Sequence, residues 1–557
     1  MTEVLLVLAG QVALTGLPMC AGAMAAVRRG LAAPTVLCVA LLVSGLHGLI
    51  GFWAYYSAPE VGRTYSWAVL GGSALLLGVL ARDAGVRRRA LRVLATPLLL
   101  WVLAAAFLLM IGFAHGGTAD PITMAATRFS HPLPADNAIP YYFADWFYAH
   151  GHTGTPPLFA DWLASDRPPL QLGYVLAERP FEWTDTALHY QVLGVLLQQL
   201  WVVGLWALLL AARLDAVTRS LVTLAVLLSD LVFVNGFFVW PKLLPAGLAL
   251  AAAALVLTPL WQETRRSWRL GALLGALVAV AMLGHGSTAF GLIGIAVVAL
   301  VRGLPSVRFL AGGVAAGLLL MVPWSLYQAY DEPPANRLGK WMFAGQIDID
   351  ARDTPEAVRD SYAEIGLEGA LENKAENIAT ITGWKDLPDL VRASQTPAEW
   401  VQDRRHIAFF DLLPSLGLLA IGPLALLGAA IRRRGDPARR RFAGICLGTS
   451  AVSIVVWGLL LFGNDASRTT VHVGSYVMPI LLLVASVVGL RAALPRFAVG
   501  WVLLAAATTT VCYLPSFQPL PGTSYSPTAF ALAGLALAGF CAALAWSARR
   551  EVPADSA

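Results

Sequence analysis

Apolar runs of membrane-spanning length recur along the whole chain. Each is about 17–25 residues long, enough to cross a hydrocarbon core of roughly 30 Å as a helix. About fifteen such runs are legible, near 4–26, 33–55, 65–81, 94–113, 190–212, 217–238, 241–261, 268–284, 286–302, 308–327, 407–430, 442–462, 474–490, 497–514 and 527–547. The composition agrees: of 557 residues, 57% are hydrophobic and 13% charged, with a mean hydropathy of +0.66. A soluble domain of this size needs no such balance. The expected fold class is an all-α polytopic membrane protein of 13–15 transmembrane helices. The first run begins at Val4 with no basic residue before it and no small-residue cleavage site, so it reads as a retained helix and not as a signal peptide.

The net charge of +5 is not a nucleic-acid signal, because the basic residues are gathered into short turns. These turns lie around Arg28–Arg29, Arg82–Arg92, Arg213–Arg219, Arg265–Arg269, Arg302–Arg308, Arg432–Arg441, Arg491–Arg496 and Arg549–Arg550. The two long intervening loops hold most of the acids. This is the positive-inside pattern. It predicts a cell-membrane protein with its N-terminus outside, its C-terminus cytoplasmic and an odd number of spans. Five scattered cysteines, without a CxxC or any metal spacing, read as small core residues.

The spans divide the chain into five parts: N-terminal helices (1–113), a first external loop (114–189), central helices (190–327), a second external loop (328–406), and C-terminal helices with a short tail (407–557). Loops of this length are seldom mere connectors. In the first, Asp136 or Asn137 is placed to cap a helix running through Tyr141 to His150 and ended by Gly151. A second short helix is expected between Pro156-Pro157 and Pro168-Pro169. In the second loop, Thr354-Pro355 starts an acidic helix, and Thr396-Pro397-Ala398-Glu399 is a capping box with proline at the first helical position. The run 268–302, broken at His285-Gly286-Ser287-Thr288, fits either two spans or a re-entrant pair.

The first loop carries the residues suited to chemistry: Asp136, then Tyr141-Tyr142, then Gly151, then Arg167-Pro168-Pro169-Leu170. This order, after several spans, resembles the first external loop of the polytopic GT-C-fold glycosyltransferases, among them the lipid A aminoarabinose transferases and protein O-mannosyltransferases. The resemblance implies an enzyme that moves a sugar from a polyprenyl-phosphate donor to a glycan, lipid or protein acceptor on the outer face of the membrane, with inversion. It implies that Asp136 is the catalytic base and places Arg167 in the family's basic-Pro-Pro-Leu. The chemistry asks for such groups. An acceptor hydroxyl needs a carboxylate to take its proton, and the departing lipid phosphate needs cations. Arg167 offers a bidentate fork. Lys242, Arg468 and His472 lie at outer span ends, and Tyr141 and Asp230 complete the candidate substrate-binding set. No cofactor is assigned. A divalent cation stays open, with Asn137 where the family carries a second acid.

Each residue also has a plain structural role available. Asp136 can be a helix cap, Asp166-Arg167 a local ion pair, and Lys242 a side chain reaching the interface beside Trp240. Asp230, inside an apolar run, calls for a partner or a substrate, and Lys242 across the following turn is the expected partner. His150 and His152 have no third metal ligand beside them in the sequence. Beside a non-catalytic scaffold of an envelope-assembly complex, two other functions remain open. One is a ligase or polymerase of lipid-linked glycans that uses Arg404-Arg405-His406 with Arg468 and His472. The other is a lipid or glycan transporter or flippase, which calls for deep polar residues such as Asp230 and His285.

Overall fold

The computed structural model describes residues 1–129, 133–391, 396–432, 435–463, 476–514 and 524–550. Among them the regular structure is helical, with only two isolated β-bridges. The N-terminal part comprises α1 (Thr2–Arg28), α2 (Ala33–Ser57), α3 (Pro59–Ala81) and α4 (Ala84–Gly112). The first long loop carries α5 (Pro121–Thr127), α6 (Ile139–His150) and α7 (Leu170–Glu178). The central part runs through α8 (Thr186–Gln198), α9 (Trp201–Ala211), α10 (Ala216–Leu227), α11 (Asp230–Phe238), α12 (Leu243–Val256), the single turn α13 (Trp261–Thr264), α14 (Trp268–Met282), α15 (Thr288–Arg302) and α16 (Val307–Leu326). The second loop holds α17 (Arg337–Ala344), α18 (Thr354–Thr382) and α19 (Pro397–Phe410). The chain closes with α20 (Ile421–Ile431), α21 (Pro437–Leu460), α22 (Val477–Ala493), α23 (Pro495–Cys512) and α24 (Pro527–Arg550).

Among the described residues, ten helices are long and apolar enough to cross a bilayer, and the pair α10–α11, bent by 58°, makes an eleventh if counted as one span. The protein is therefore a multi-pass all-α membrane protein. The other apolar runs are also helical but shorter: α12, α14, α15 and α22. Position explains two of them. Every residue of α12 is buried, and nearly every residue of α22. A helix that is apolar all round belongs in the middle of a bundle. There its ends meet protein, so it need not match the bilayer's thickness. In contrast, α3 and α16 are the least buried long helices and expose rows of leucine and valine such as Leu75, Leu318 and Leu319.

Small residues set the close crossing of α14 and α16. A Cβ on Gly271 of α14 would lie 2.2 Å from Phe309 O of α16, and one on Gly275 would lie 2.1 Å from Gly313 O. These glycines let the two backbones touch, as small residues do between membrane helices.

Local signals behaved as expected where they were strong. Thr396 Oγ1 accepts from Glu399 N at 3.3 Å and Glu399 Oε2 accepts from Thr396 N at 2.7 Å, closing the capping box of α19. The α18 helix starts at Thr354, with Asp353 accepting from Glu356 N. The α6 helix ends at Gly151, whose φ of 59° and ψ of −133° favour glycine. Two expectations are corrected. Neither Asp136 nor Asn137 caps α6: both lie in a separate 3₁₀ turn, Ala135–Ala138, and α6 begins with Pro140 in its first turn and no side-chain cap. The expected helix between the two proline pairs is only a 3₁₀ turn, Ala164–Asp166, and the true helix, α7, follows Pro168-Pro169.

Candidate active site

The Arg-Pro-Pro-Leu segment shows how sequence dictates local geometry here. A residue before proline is driven to extended backbone, and Arg167 is extended at φ −117° and ψ 128°. Pro168 and Pro169 bring no N–H groups. The first available one, on Leu170, bonds to Leu283 O at 3.1 Å, at the end of α14. The motif thereby ties the first loop to the break between α14 and α15, where His285 lies.

Arg167 turns back onto the 3₁₀ turn and donates through Nη2 to Asp136 Oδ2. Both side chains are about nine-tenths buried, at 8% and 10% exposure. The turn that holds Asp136 is fixed by its neighbour: Asn137 Nδ2 donates to Ile122 O at 3.0 Å, and Tyr190 of α8 donates to Asn137 O. Tyr141 has a supporting role. Its hydroxyl is 2.7 Å from Thr186 Oγ1 and its ring is 5.4 Å from that of Tyr190, which docks α6 on α8.

Arg167 lies 4.2 Å over the Trp162 ring, and Arg337 from the second loop lies 4.0 Å over the same ring. Asp166 does not pair with Arg167 as a local bridge. Its carboxylate accepts from Leu163 N at 2.9 Å and Arg337 N at 3.2 Å. Burial pushes its carboxyl up to about 6, against the lowering effect of those N–H donors and of the two arginines. Arg337 itself pairs with Asp161, whose carboxyl it holds below the usual range. Glu332 accepts from Ala164 N at 3.2 Å and Ser165 N at 2.6 Å. Both long loops therefore meet over one place, at one end of the bundle.

Lys242 reaches the same place from the α11–α12 break. It is buried, lies 3.9 Å over the Trp240 ring and contacts His285 Nε2. It is within electrostatic range of both Arg167 and Asp136. On its other side, His285 Nδ1 is 2.7 Å from Ser287 Oγ. Four residues distant in sequence (Asp136, Arg167, Lys242 and His285) thus form one buried polar cluster. Nε and Nη1 of Arg167 have no hydrogen-bond partner among the described residues. Buried N–H groups in that state are unusual and call for an explanation.

Asp230 does not join this cluster, and its expected pairing with Lys242 is corrected. Its carboxylate receives Arg404 of α19 bidentately, at 2.7 and 3.1 Å, and the Tyr513 hydroxyl at 2.9 Å. Arg405 beside it donates to Cys512 O. These contacts fasten the second loop to α11 and α23. Arg468 and His472 lie outside the described residues. His150 stacks on Trp146 with ring centroids 4.0 Å apart, and His152 lies by the carbonyls of Tyr56 and Ser57. Neither shares a metal-like group: no cluster of three or more His, Cys, Asp or Glu occurs among the described residues.

Sequence reasoning missed three glutamines that shape the site. At the α11–α12 break, Val239 adopts the left-handed region and the chain reverses to Lys242. Gln191 donates to Phe237 O at 2.7 Å and Gln171 to Val239 O at 3.1 Å. Gln198 Oε1 accepts from Leu243 N and Leu244 N at 2.9 and 3.2 Å. A broken helix inside a membrane bundle is tolerated only when its backbone is satisfied in this way. Two of the three stand inside the apolar run 190–212, a signal that was available in the sequence.

No family model, no curated protein and no solved structure matches this chain.

Proposed function

We propose that the protein is a membrane glycosyltransferase of GT-C type that moves a sugar from a polyprenyl-phosphate donor to a cell-envelope acceptor at the outer face of the membrane. The observation that carries this reading is the Asp136–Arg167 pair, with two buried N–H-bearing nitrogens of Arg167 left unpartnered and Lys242 close by. A carboxylate beside cations that still have N–H groups to give suits a displacement that expels a phosphate. The unpaired edge of Arg167 and Lys242 would receive the donor phosphate. Asp136 would take the proton of the acceptor hydroxyl as its oxygen bonds to the anomeric carbon and the carbon–oxygen bond to phosphate breaks, with inversion. Counting the bent pair once, and each of the four shorter apolar helices as a span, gives fifteen spans. That odd number, with the arginine-rich turns inside, supports an N-terminus and two joined loops on the outside.

The ligase reading is weakened by the engagement of Arg404 with Asp230 and of Arg405 with a backbone carbonyl. The transporter reading loses Asp230 as a free deep acid for the same reason.

The test is Asp136→Asn, read in two ways. Transfer of sugar from a polyprenyl-phosphate donor should fall by about 10²–10⁴-fold. Binding of the donor should be kept or tightened, because Arg167 is released from its carboxylate. An Asn variant that transfers normally, or one that loses transfer and donor binding together, would make Asp136 a structural partner only.

A further inference from the structure

A cavity lies far from Asp136, among the arginine-rich ends of the helices. It has a volume of about 590 Å³, within the range of small-molecule sites. Five helices build it: α2 at Ala33, α4 at Arg92 and Thr96, α9 at Trp206, α10 at Arg219, and α24 at Trp546 and Ser547. Along α4, Arg92 stands about 30 Å from Gly112, one hydrocarbon thickness. Gly112 in turn accepts from Arg128 of the first loop at 3.1 Å. The cavity is thus at the opposite end of the bundle from the two loops.

Its chemistry is one-sided. Two guanidiniums and two hydroxyls line it, and no carboxylate does among the described residues. Arg219 is held in place: it is 4% exposed, donates to Leu214 O at 2.5 Å and lies 5.5 Å over the Trp206 ring. Arg92 is exposed at the mouth. Trp546, 40% exposed, is an amphipathic ring of the kind that settles at headgroup level. Leu91, 61% exposed and also lining the cavity, offers apolar surface next to the charge. Basic pockets between helices at the end bearing the positive turns are suited to lipid phosphates.

We propose that this cavity binds the phosphodiester headgroup of an anionic phospholipid from the leaflet at the arginine-rich end. Arg219 and Arg92 hold the phosphate, Thr96 and Ser547 donate to its oxygens, and the acyl chains extend along α4 in the direction of Gly112. The site is independent of the transferase reading, since it shares no residue with the Asp136 cluster.

The test uses the full chain, reconstituted in phosphatidylcholine bilayers with and without phosphatidylglycerol and then released into detergent. Native mass spectrometry reads the phosphatidylglycerol retained. At about one basic residue's worth of attraction each, Arg92→Gln should lower retention about fivefold and Arg92→Gln with Arg219→Gln about thirtyfold. Arg269→Gln, which removes an equal charge from the exposed start of α14, should leave it unchanged. Arg92→Gln keeps the test open should the loss of Arg219 disturb folding. Equal retention in Arg92→Gln and Arg269→Gln would overturn the proposal. So would displacement of the lipid by inorganic phosphate alone, which would make the cavity a site for the free anion.

Discussion

Arg167 has two faces. One Nη2 hydrogen bond goes to Asp136, its guanidinium plane lies against Trp162, and Nε and Nη1 are left over. A planar fork can do all of this at once, whereas an ammonium cannot. Arg167→Lys is therefore expected to keep the pairing with Asp136 and the protein's expression but to lose the second set of donors. Sugar transfer should drop about a hundredfold, in line with the loss of one donor to a developing anion. Full activity in the lysine variant, with unchanged donor affinity, would mean that Arg167 serves structure alone. The pair also changes what truncation does. Asp136 caps no helix, so Asp136→Ala costs no cap and instead leaves a buried guanidinium without its carboxylate, worth about 3–5 kcal/mol. At this scale the sequence exposed the candidates but not their partners. Asp136 and Arg167 stood out as polar residues in a loop between greasy runs. Their pairing spans 31 positions and needs the fold. Asp230 stood out too, yet its partner lies 174 positions away, in a loop helix that no local pattern ties to it.

Among the elements, those with local signatures were legible. The capping box of α19 and the proline-led start of α18 each need only a few neighbouring residues, and both are present. The breaks were harder to read. Whether an apolar run is one helix or two depends on what satisfies the backbone where it bends, and here side chains from other elements do so. Gln198 illustrates the cost. Its amide oxygen serves the first two N–H groups of α12, in the middle of the bundle. Gln198→Leu fills similar space but leaves both donors unsatisfied, each worth about 1–3 kcal/mol. The expected outcome is a clear fall in melting temperature, with transfer reduced because Lys242 begins the same turn. Thr396→Ala is the contrast. It removes one exposed cap, should cost about 1 kcal/mol, and should leave transfer unchanged. A Gln198→Leu variant as stable as Thr396→Ala would show that water, and not the glutamine, satisfies α12.

Across the whole molecule, hydropathy gave the membrane class and the places of the helices, because the bilayer imposes that pattern on every lipid-facing segment. It did not distinguish segments that face lipid from those walled in by protein. The run around α12 was expected to have membrane length, over 241–261, yet protein surrounds it and the helix covers only Leu243–Val256. The two long loops provide a test of orientation. Asp166 accepts from Arg337 N and Glu332 from Ser165 N, so both loops share one end of the bundle whichever side of the membrane that end faces. Under the proposed function the basic turns put it outside. Leu158 in the first loop is 47% exposed and Leu367 in the second is 78% exposed, while Arg88 is exposed near the start of α4. In a background with the five native cysteines replaced, Leu158→Cys and Leu367→Cys should both react with a membrane-impermeant maleimide on intact cells, and Arg88→Cys only after lysis. Labelling of Arg88→Cys alone on intact cells would turn the molecule over and move the Asp136 cluster to the cytoplasmic face, where a donor carried on the outer leaflet could not reach it. Opposite outcomes for Leu158→Cys and Leu367→Cys would separate the loops and with them the contacts among Glu332, Arg337 and Trp162 that enclose Arg167.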